Sequence, residues 1–238
     1  MSASHAARLK DKWALVTGSS RGIGQQIALG LAGLGCNVIL HGREASHCRY
    51  TLESLDAYDI ATHVVSGDLA TPESIAAIVN GVEAGPGRID VLYNNAALMN
   101  LWKPIWEIRL EEWIESFHVN LFAMIMLCNA FVPAMRDQRY GRVINLTSGI
   151  KDTPQLAPYS ATKAAVDKYT ADLAAELRGT NVLANALDPG WLKTALGGPD
   201  ADHEVETVLP GALVPVLLPD SGPSGRLYRA QDYSMLDI

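Results

Sequence analysis

Cysteine is nearly missing from this chain: only Cys36, Cys48 and Cys128 occur, with no CxxC pair. That excludes a disulfide framework and points to a reducing compartment, so a cytoplasmic location is expected. The three residues read as small apolar fillers. An excess of positive charge is missing too. Acidic residues outnumber basic ones 26 to 19, for a net charge of −7 and a pI near 5.3. A protein whose main partner is nucleic acid needs a broad basic face, so no nucleic-acid partner is expected, although a local basic pocket for a phosphorylated small molecule remains compatible. No run reaches 18 apolar residues, so no membrane partner is expected. The longest apolar stretch, Val119 to Met135, contains Asn120, Asn129 and Pro133 and reads as a buried helix. The six histidines form no HxxxH or HxH pair, so no metal site is expected. The N-terminal tail, residues 1–11, lacks the apolar core of a signal peptide.

What is present is a steady alternation. Short apolar strands are read at Trp13–Thr17, Asn37–His41, Ala61–Val65, Ile89–Tyr93, Arg142–Leu146 and Val182–Leu187, with a last one in Gly225–Arg229. Between them, apolar residues recur at helical spacing in Gly22–Gly35, Arg43–Ala57, Pro72–Val82, Leu110–Asp137 and Ala161–Arg178, and a short helix is expected near Val205–Leu217. Thr71-Pro72-Glu73 is a helix start: a capping hydroxyl, a first-turn proline and a first-turn acid. Strand–helix alternation means parallel crossovers, and nearly all-apolar strands mean a sheet covered on both faces. No Gly/Ser-rich linker, repeat or low-complexity run divides the chain, so the 238 residues are expected to form one α/β domain. The irregular segment 190–217 reads as a lid over a substrate.

The turn after the first strand is Thr17-Gly18-Ser19-Ser20-Arg21-Gly22-Ile23-Gly24. Glycines there let backbone approach a pyrophosphate, and the following helix start offers free N–H groups and a positive dipole end. Gly18, Ser20, Arg21, Gly22, Ile23 and Gly24 are therefore cofactor-binding candidates. The spacing is Gly-x3-Gly-x-Gly rather than G-x-G-x-x-G. At the end of the second strand, an NAD site usually carries an acid for the ribose 2′-hydroxyl. Here the strand ends His41-Gly42-Arg43. Arg43, with Arg21 in the glycine loop, suits a 2′-phosphate, which favours NADP(H) as cofactor.

Tyr159 and Lys163 lie four apart on one face of a helix start, and Ser148 ends the fifth strand. Reducing a ketone adds hydride to carbon and a proton to oxygen. A phenol donates that proton well, a nearby ammonium stabilises the phenolate, and a serine hydroxyl orients the carbonyl.

Taken in order, Thr17–Gly24, Asp68-Leu69, Asn94-Asn95-Ala96-Ala97, Asn120, Ser148, Tyr159-x3-Lys163 and Pro189-Gly190 with Thr194 resemble the short-chain dehydrogenase/reductase family of the small single-domain type, over about Lys12 to Arg229. The resemblance implies a doubly wound Rossmann fold with a parallel sheet of about seven strands in the order 3-2-1-4-5-6-7 and helices on both faces. It implies Tyr159 as general acid/base, Lys163 on the nicotinamide ribose, Ser148 on the substrate oxygen and Asn120 holding a relay water. Asp68 would face the adenine and Leu69 offer its backbone N–H. Asn95 and Ala96 would line the cofactor, and Pro189, Gly190 and Thr194 its nicotinamide side. A homodimer or homotetramer is also implied. Three features depart from the pattern. Ala97 replaces a glycine, the Ser148–Tyr159 interval is short, and the end of the chain resembles carbonyl-reductase-like members, so the tetramer contact usual for the family is not assured.

For the substrate, Ile150, Gln155 and Trp191 are the candidates, with Met99, Trp102, Leu156, Leu192 and Leu196 as further wall residues. They suit a small or medium apolar ketone, aldehyde or secondary alcohol. The expected activity is an NADP(H)-dependent carbonyl/alcohol oxidoreductase. The alternatives are an NAD-dependent alcohol dehydrogenase of the same fold, or a non-catalytic module sensing NADP(H).

Overall fold

A computed structural model describes residues 8–236; the expectation of a signal-free tail falls mostly on residues 1–7, outside the described residues. Seven strands form one sheet: β1 (Trp13–Val16), β2 (Asn37–Gly42), β3 (Thr62–Ser66), β4 (Val91–Asn94), β5 (Gly141–Leu146), β6 (Val182–Asp188) and β7 (Leu227–Arg229). All neighbours are parallel, in the order β3-β2-β1-β4-β5-β6-β7. The helices are α1 (Gly22–Gly33), α2 (Arg49–Leu55), α3 (Pro72–Ala84), α4 (Leu110–Phe117), α5 (Ala123–Asp137) and α6 (Ala157–Glu176).

Strand alternation divides the core in two. Ala14 and Val16 of β1, with Val38 and Leu40 of β2, pack on Ile27, Ala28 and Leu31 of α1. Leu15 and Ile39 point the other way, toward Ile75, Ile78 and Val82 of α3 and toward Leu127 and Phe131 of α5. Full burial of an Ile or Leu contributes about 1.5–3 kcal/mol, so these rows fix which face each strand presents. Thr71 caps α3 by accepting from the Ser74 N–H at 3.3 Å. All three cysteines are free and buried.

Four expectations change. The polar helix expected over Arg43–Ala57 is a 3-10 turn, Ala45–Cys48, followed by α2. Helix α6 begins at Ala157 rather than Ala161, because Pro158 supplies a pre-set φ in its first turn. The long helix from Leu110 to Asp137 is interrupted by a π-turn, His118–Phe122, which separates α4 from α5. By length and composition this stretch is apolar enough to cross a membrane, and 44% of its most apolar window is buried. It lies on the sheet through Met124, Leu127, Phe131 and Met135, with Leu110, Ile114 and Phe122 left exposed.

The fourth change concerns the segment 190–217. Val208, Ala212, Leu213, Val216 and Leu217 are core residues, packed with Ile27 and Leu31 of α1. Leu192, expected to line the substrate, is in the same cluster. The expected short helix is reduced to two 3-10 turns, Val205–Val208 and Gly211–Leu213. In the first half of the segment Leu192 and Ala201 are buried as well, while Trp191 and Leu196 stay exposed.

Candidate active site

The carboxyl ends of β1, β2, β4, β5 and β6 converge on one edge of the sheet, where the strand order reverses around β1. The glycine loop sits at its centre. Gly18 and Gly22 have φ of +64° and +61°, a region open to glycine. A Cβ on Gly24 would meet Asn95 Nδ2 and the Gly18 carbonyl at 2.5 Å, so α1 packs here only with glycine. Thr17 Oγ accepts from the Asn95 and Ala96 N–H groups at 2.9 and 3.1 Å. Asn95 Nδ2 donates to the Thr17 and Gly18 carbonyls at 2.8 and 3.2 Å. The side chain of Asn95 therefore shapes the loop rather than projecting from it. Ala97 has no positive φ, so replacing the glycine of the pattern leaves no strain there.

The start of α1 has no side-chain cap and no acid in its first turn. Its N–H groups and dipole end are left for an anion. Across the opening stands Thr194, whose methyl lies 3.5 Å from the point where a Cβ on Gly22 would sit. A side chain at Gly22 would fill this cradle between the loop and the Pro189–Thr194 segment. Ser20 and Ile23 flank it, half-buried. These features fit a dinucleotide pyrophosphate.

Arg21 and Arg43 are exposed on the same edge, and among the described residues neither makes an ion pair. Glu44 turns away, its carboxylate receiving Ser46 Oγ at 3.4 Å and lying 3.9 Å from His47. Asp68 is exposed, with Oδ1 accepting from the Ala70 N–H at 2.9 Å, and Leu69 is buried in the core, leaving only its backbone for a ligand.

Ser148 follows β5, and Tyr159 and Lys163 rise from the first turns of α6. The Ser148 hydroxyl stands near enough to the Tyr159 phenol to favour its ionised form, and it accepts from the Ile150 N–H at 3.2 Å. Lys163 Nζ stands 5.6 Å from the centre of the Tyr159 ring and donates to the Leu146 carbonyl at 2.7 Å. Burial lowers Lys163 to about 8, with the Asp167 carboxylate acting against it. Burial pushes Tyr159 up to about 12; the Ser148 hydrogen bond lowers it and the Asp188 carboxylate raises it. Lys163 thus stands beside the phenol without depressing it in the cofactor-free chain.

Asn120 lies in the π-turn. Its Oδ1 accepts from the Leu98 N–H at 2.7 Å, and its Nδ2 donates to the Leu98 carbonyl at 2.8 Å and Thr162 Oγ at 3.1 Å. Its amide joins the loop after β4 to α6. Pro189 and Gly190 follow β6. Gly190 has φ +84°, and a Cβ there would meet Gln231 Cγ at 2.9 Å. Ile150 and Gln155 are half-buried on the loop before α6, where Asn100 Nδ2 donates to the Gln155 carbonyl at 3.0 Å. Trp191 is half exposed, its indole N–H held by the Gly197 carbonyl at 2.8 Å.

Several residues of this edge carried no signal in the sequence. Asp188 accepts from the Gly190 N–H at 3.0 Å and sets its charge toward Tyr159. Asn145 links Asn94 to Thr170 at 2.8 and 2.9 Å, tying β4 and β5 to α6. Gln231 donates to the Pro189 carbonyl at 3.0 Å. Such partners come from distant segments and have no spacing to read.

A doubly wound sheet with a glycine loop at the crossover and a Ser–Tyr–Lys group beside it defines a nucleotide-dependent oxidoreductase. The short chain dehydrogenase profile matches residues 12–204, and the chain belongs to the short-chain dehydrogenase/reductase family, whose members use a nicotinamide cofactor on alcohols and carbonyls. It is similar to the 3-oxoacyl-(acyl-carrier-protein) reductase of Aquifex aeolicus, with 35% identity over 79% of this chain and 76% of that one. It is similar to the 2-dehydro-3-deoxy-L-rhamnonate dehydrogenase (NAD(+)) of Sphingomonas, at 32% over 80% of this chain and 76% of the relative. Among solved structures, a metagenomic short-chain oxidoreductase in complex with NADP superposes with a TM-score of 0.82, at 30% identity, over 93% of this chain and 98% of the other.

Proposed function

We propose that the protein is an NADP(H)-dependent oxidoreductase moving hydride between nicotinamide and a carbonyl/secondary-alcohol pair, with Tyr159 as general acid/base. The observation that carries this reading is the Tyr159 phenol, beside the Ser148 hydroxyl and one helical turn from the buried Lys163. Ser148 orients the substrate oxygen, and Tyr159 holds the proton that this oxygen gains or loses. Lys163 and the glycine loop hold the cofactor at its ribose and pyrophosphate. Gly18, Ser20, Gly22, Ile23, Gly24 and the Leu69 N–H line its course, with Asp68 at the adenine and Ala96, Pro189, Gly190 and Thr194 on the nicotinamide side. When bound, the nicotinamide supplies or takes the hydride. Asn120 positions the Leu98 backbone and Thr162 through its amide, and it is the residue that would anchor a relay water.

Preference for NADP(H) is supported by Arg21 and Arg43, exposed and without ion pairs among the described residues, and by the diversion of Glu44. The substrate is a small or medium apolar carbonyl compound, met by Ile150, Gln155 and Trp191. The Sphingomonas relative, an NAD(+) dehydrogenase by name, supports a second reading, alcohol oxidation with NAD. A cytoplasmic location is part of this reading, and the buried free thiols are compatible with a reducing compartment.

The same reading includes a homodimer or homotetramer. Leu110, Ile114 and Phe122 leave an apolar strip exposed along α4 and the π-turn, next to α6. The deciding experiment follows absorbance of reduced nicotinamide with a panel of ketones, aldehydes and quinones, NADPH and NADH in parallel, and Tyr159→Phe as the blank. Turnover with NADPH that the variant loses is the expected result. Equal turnover in the variant overturns the assignment of Tyr159, and faster turnover with NADH overturns that of the arginines.

A further inference from the structure

His41 is the fifth residue of β2 and is 2% exposed. Nothing in the sequence marks it. In the structure its imidazole is bonded at both nitrogens. Nδ1 lies 3.1 Å from the Gly18 N–H, and Nε2 lies 3.1 Å from the Gly67 carbonyl. These partners leave no freedom of tautomer. A backbone N–H only donates, so Nδ1 must be bare; a carbonyl only accepts, so Nε2 must carry the hydrogen. The ring is thus required to be neutral.

The backbone around it is tied to the same loop. The His41 N–H donates to Ser19 Oγ at 2.9 Å, the Ser19 N–H donates to the His41 carbonyl at 3.0 Å, and Thr51 Oγ donates to the Ser19 carbonyl at 2.9 Å. The Gly18 peptide is held from both ends, by His41 at its N–H side and by Asn95 Nδ2 at its carbonyl. With Gly18 pinned at φ +64°, the chain from Ser19 to Gly22 has one course, and that course exposes the start of α1.

We propose that His41 is a positioning residue for the dinucleotide: its neutral imidazole clamps Gly18 so that the glycine loop is shaped for the pyrophosphate, and its protonation releases the clamp. This rests on the reading that the loop binds a dinucleotide. Protonated, Nδ1 would turn a second donor toward the Gly18 N–H, and the loop would have to move. Burial lowers the ring, against the Gly67 carbonyl that bonds Nε2 and the Asp68 carboxylate after β3, which is the charged group that faces it, so the balance lies below the ordinary histidine value. As pH falls through that lowered value, dinucleotide affinity declines by up to about tenfold per unit.

Two measurements test this. In the cofactor-free protein, nitrogen NMR of the imidazole reads the tautomer and the titration midpoint directly. The expected result is a bare Nδ1, a protonated Nε2 and a midpoint under about 6.5. A ring protonated at Nδ1 near neutrality overturns the clamp. Then NADPH dissociation constants, from its fluorescence, are compared across that midpoint for the wild type, His41→Asn and His41→Leu. Asn keeps a neutral acceptor for Gly18, whereas Leu leaves its N–H unpaired. His41→Leu is expected to bind roughly 5- to 100-fold more weakly than the wild type at pH 8, with the gap closing as the wild type protonates. His41→Asn is expected to bind like the wild type at pH 8 and to lose the wild type's acid weakening. The 2′-phosphate of NADPH titrates near pH 6, but it cancels in the wild-type to variant ratio. Superimposable profiles for all three proteins overturn the proposal. Failure of NADPH to bind any of them would refute the dinucleotide reading instead, and the NMR result would still report on the clamp.

Discussion

Removing one oxygen from Tyr159 separates chemistry from binding and from folding. In Tyr159→Phe the ring stays in place, and at most one hydrogen bond, to the neighbouring Ser148 hydroxyl, is lost. A hydrogen bond of that kind contributes about 0.5–1.5 kcal/mol to stability. For a chain of this length, about 2–4 °C per kcal/mol, the melting temperature should drop by no more than about 6 °C. Dinucleotide affinity should be unchanged, because the phenol is not among the groups that hold the phosphates. The turnover number should fall by about 10²- to 10⁴-fold, the usual contribution of a positioned acid. That corresponds to about 3–5.5 kcal/mol in the barrier. The pH dependence sharpens the test. With Tyr159 at about 12, the phenol is fully protonated at pH 6–9. At saturating cofactor and substrate, ketone reduction should therefore be flat with pH across that range. Alcohol oxidation needs the phenolate, a fraction of about 10⁻⁵ at pH 7, and should rise about tenfold per pH unit. Stopped-flow absorbance in both directions, with fluorescence titration of NADPH and a thermal melt of the variant, covers the three quantities. A variant keeping more than about a tenth of the wild-type turnover, with the melt intact, would refute the acid/base role.

Other perturbations follow from the same edge of the sheet. Replacing Arg43 by Asp should move preference from NADPH toward NADH by about 10- to 150-fold in the kcat/KM ratio, the effect of about 1.5–3 kcal/mol for a charged hydrogen bond; an unchanged ratio would shift the role to Arg21. Asp188→Asn removes a carboxylate that raises Tyr159 while keeping an oxygen for the Gly190 N–H. Its oxidation profile should move to lower pH with reduction little affected, and coincident profiles would show that the Asp188 charge does not reach the phenol. Changing Ile114 and Phe122 together to Ser should lower the assembly mass seen by light scattering, and an unchanged mass would clear that strip of any role in assembly.

Most of the strands were legible because each is a short apolar run bounded by turns; the sheet order came only from the resemblance to the family, whose motifs follow in chain order. The glycine loop and Tyr159 with Lys163 were legible for the same reason: their chemistry lies within a few residues of sequence. The illegible parts depend on contacts at long range. Leu192 reads as a pocket wall beside Trp191, yet it packs with Val208 and Ala212. His41 reads as one more strand residue, because Gly18 and Gly67 reach it only after three strands have paired. The helix start at Ala157 was placed late because the loop before it is itself half helical, through the 3-10 turn Pro154–Leu156. Depression of Tyr159 was expected from Lys163, the nicotinamide ribose and the helix start together, and without the ribose the Lys163 ammonium is bonded to the Leu146 carbonyl.

Gln231 sits just past the last strand, yet it holds the turn at Pro189 and Gly190 from behind. For anyone recombining relatives of this chain, the two segments form one inheritable unit. Transplanting residues 190–207 to import another specificity would set any side chain at 190 against Gln231 Cγ and change the Thr207 groups that Gln231 also reaches, and a bulkier residue at 231 would press on Gly190. A working chimera has to carry both pieces together, although some forty residues of sequence separate them.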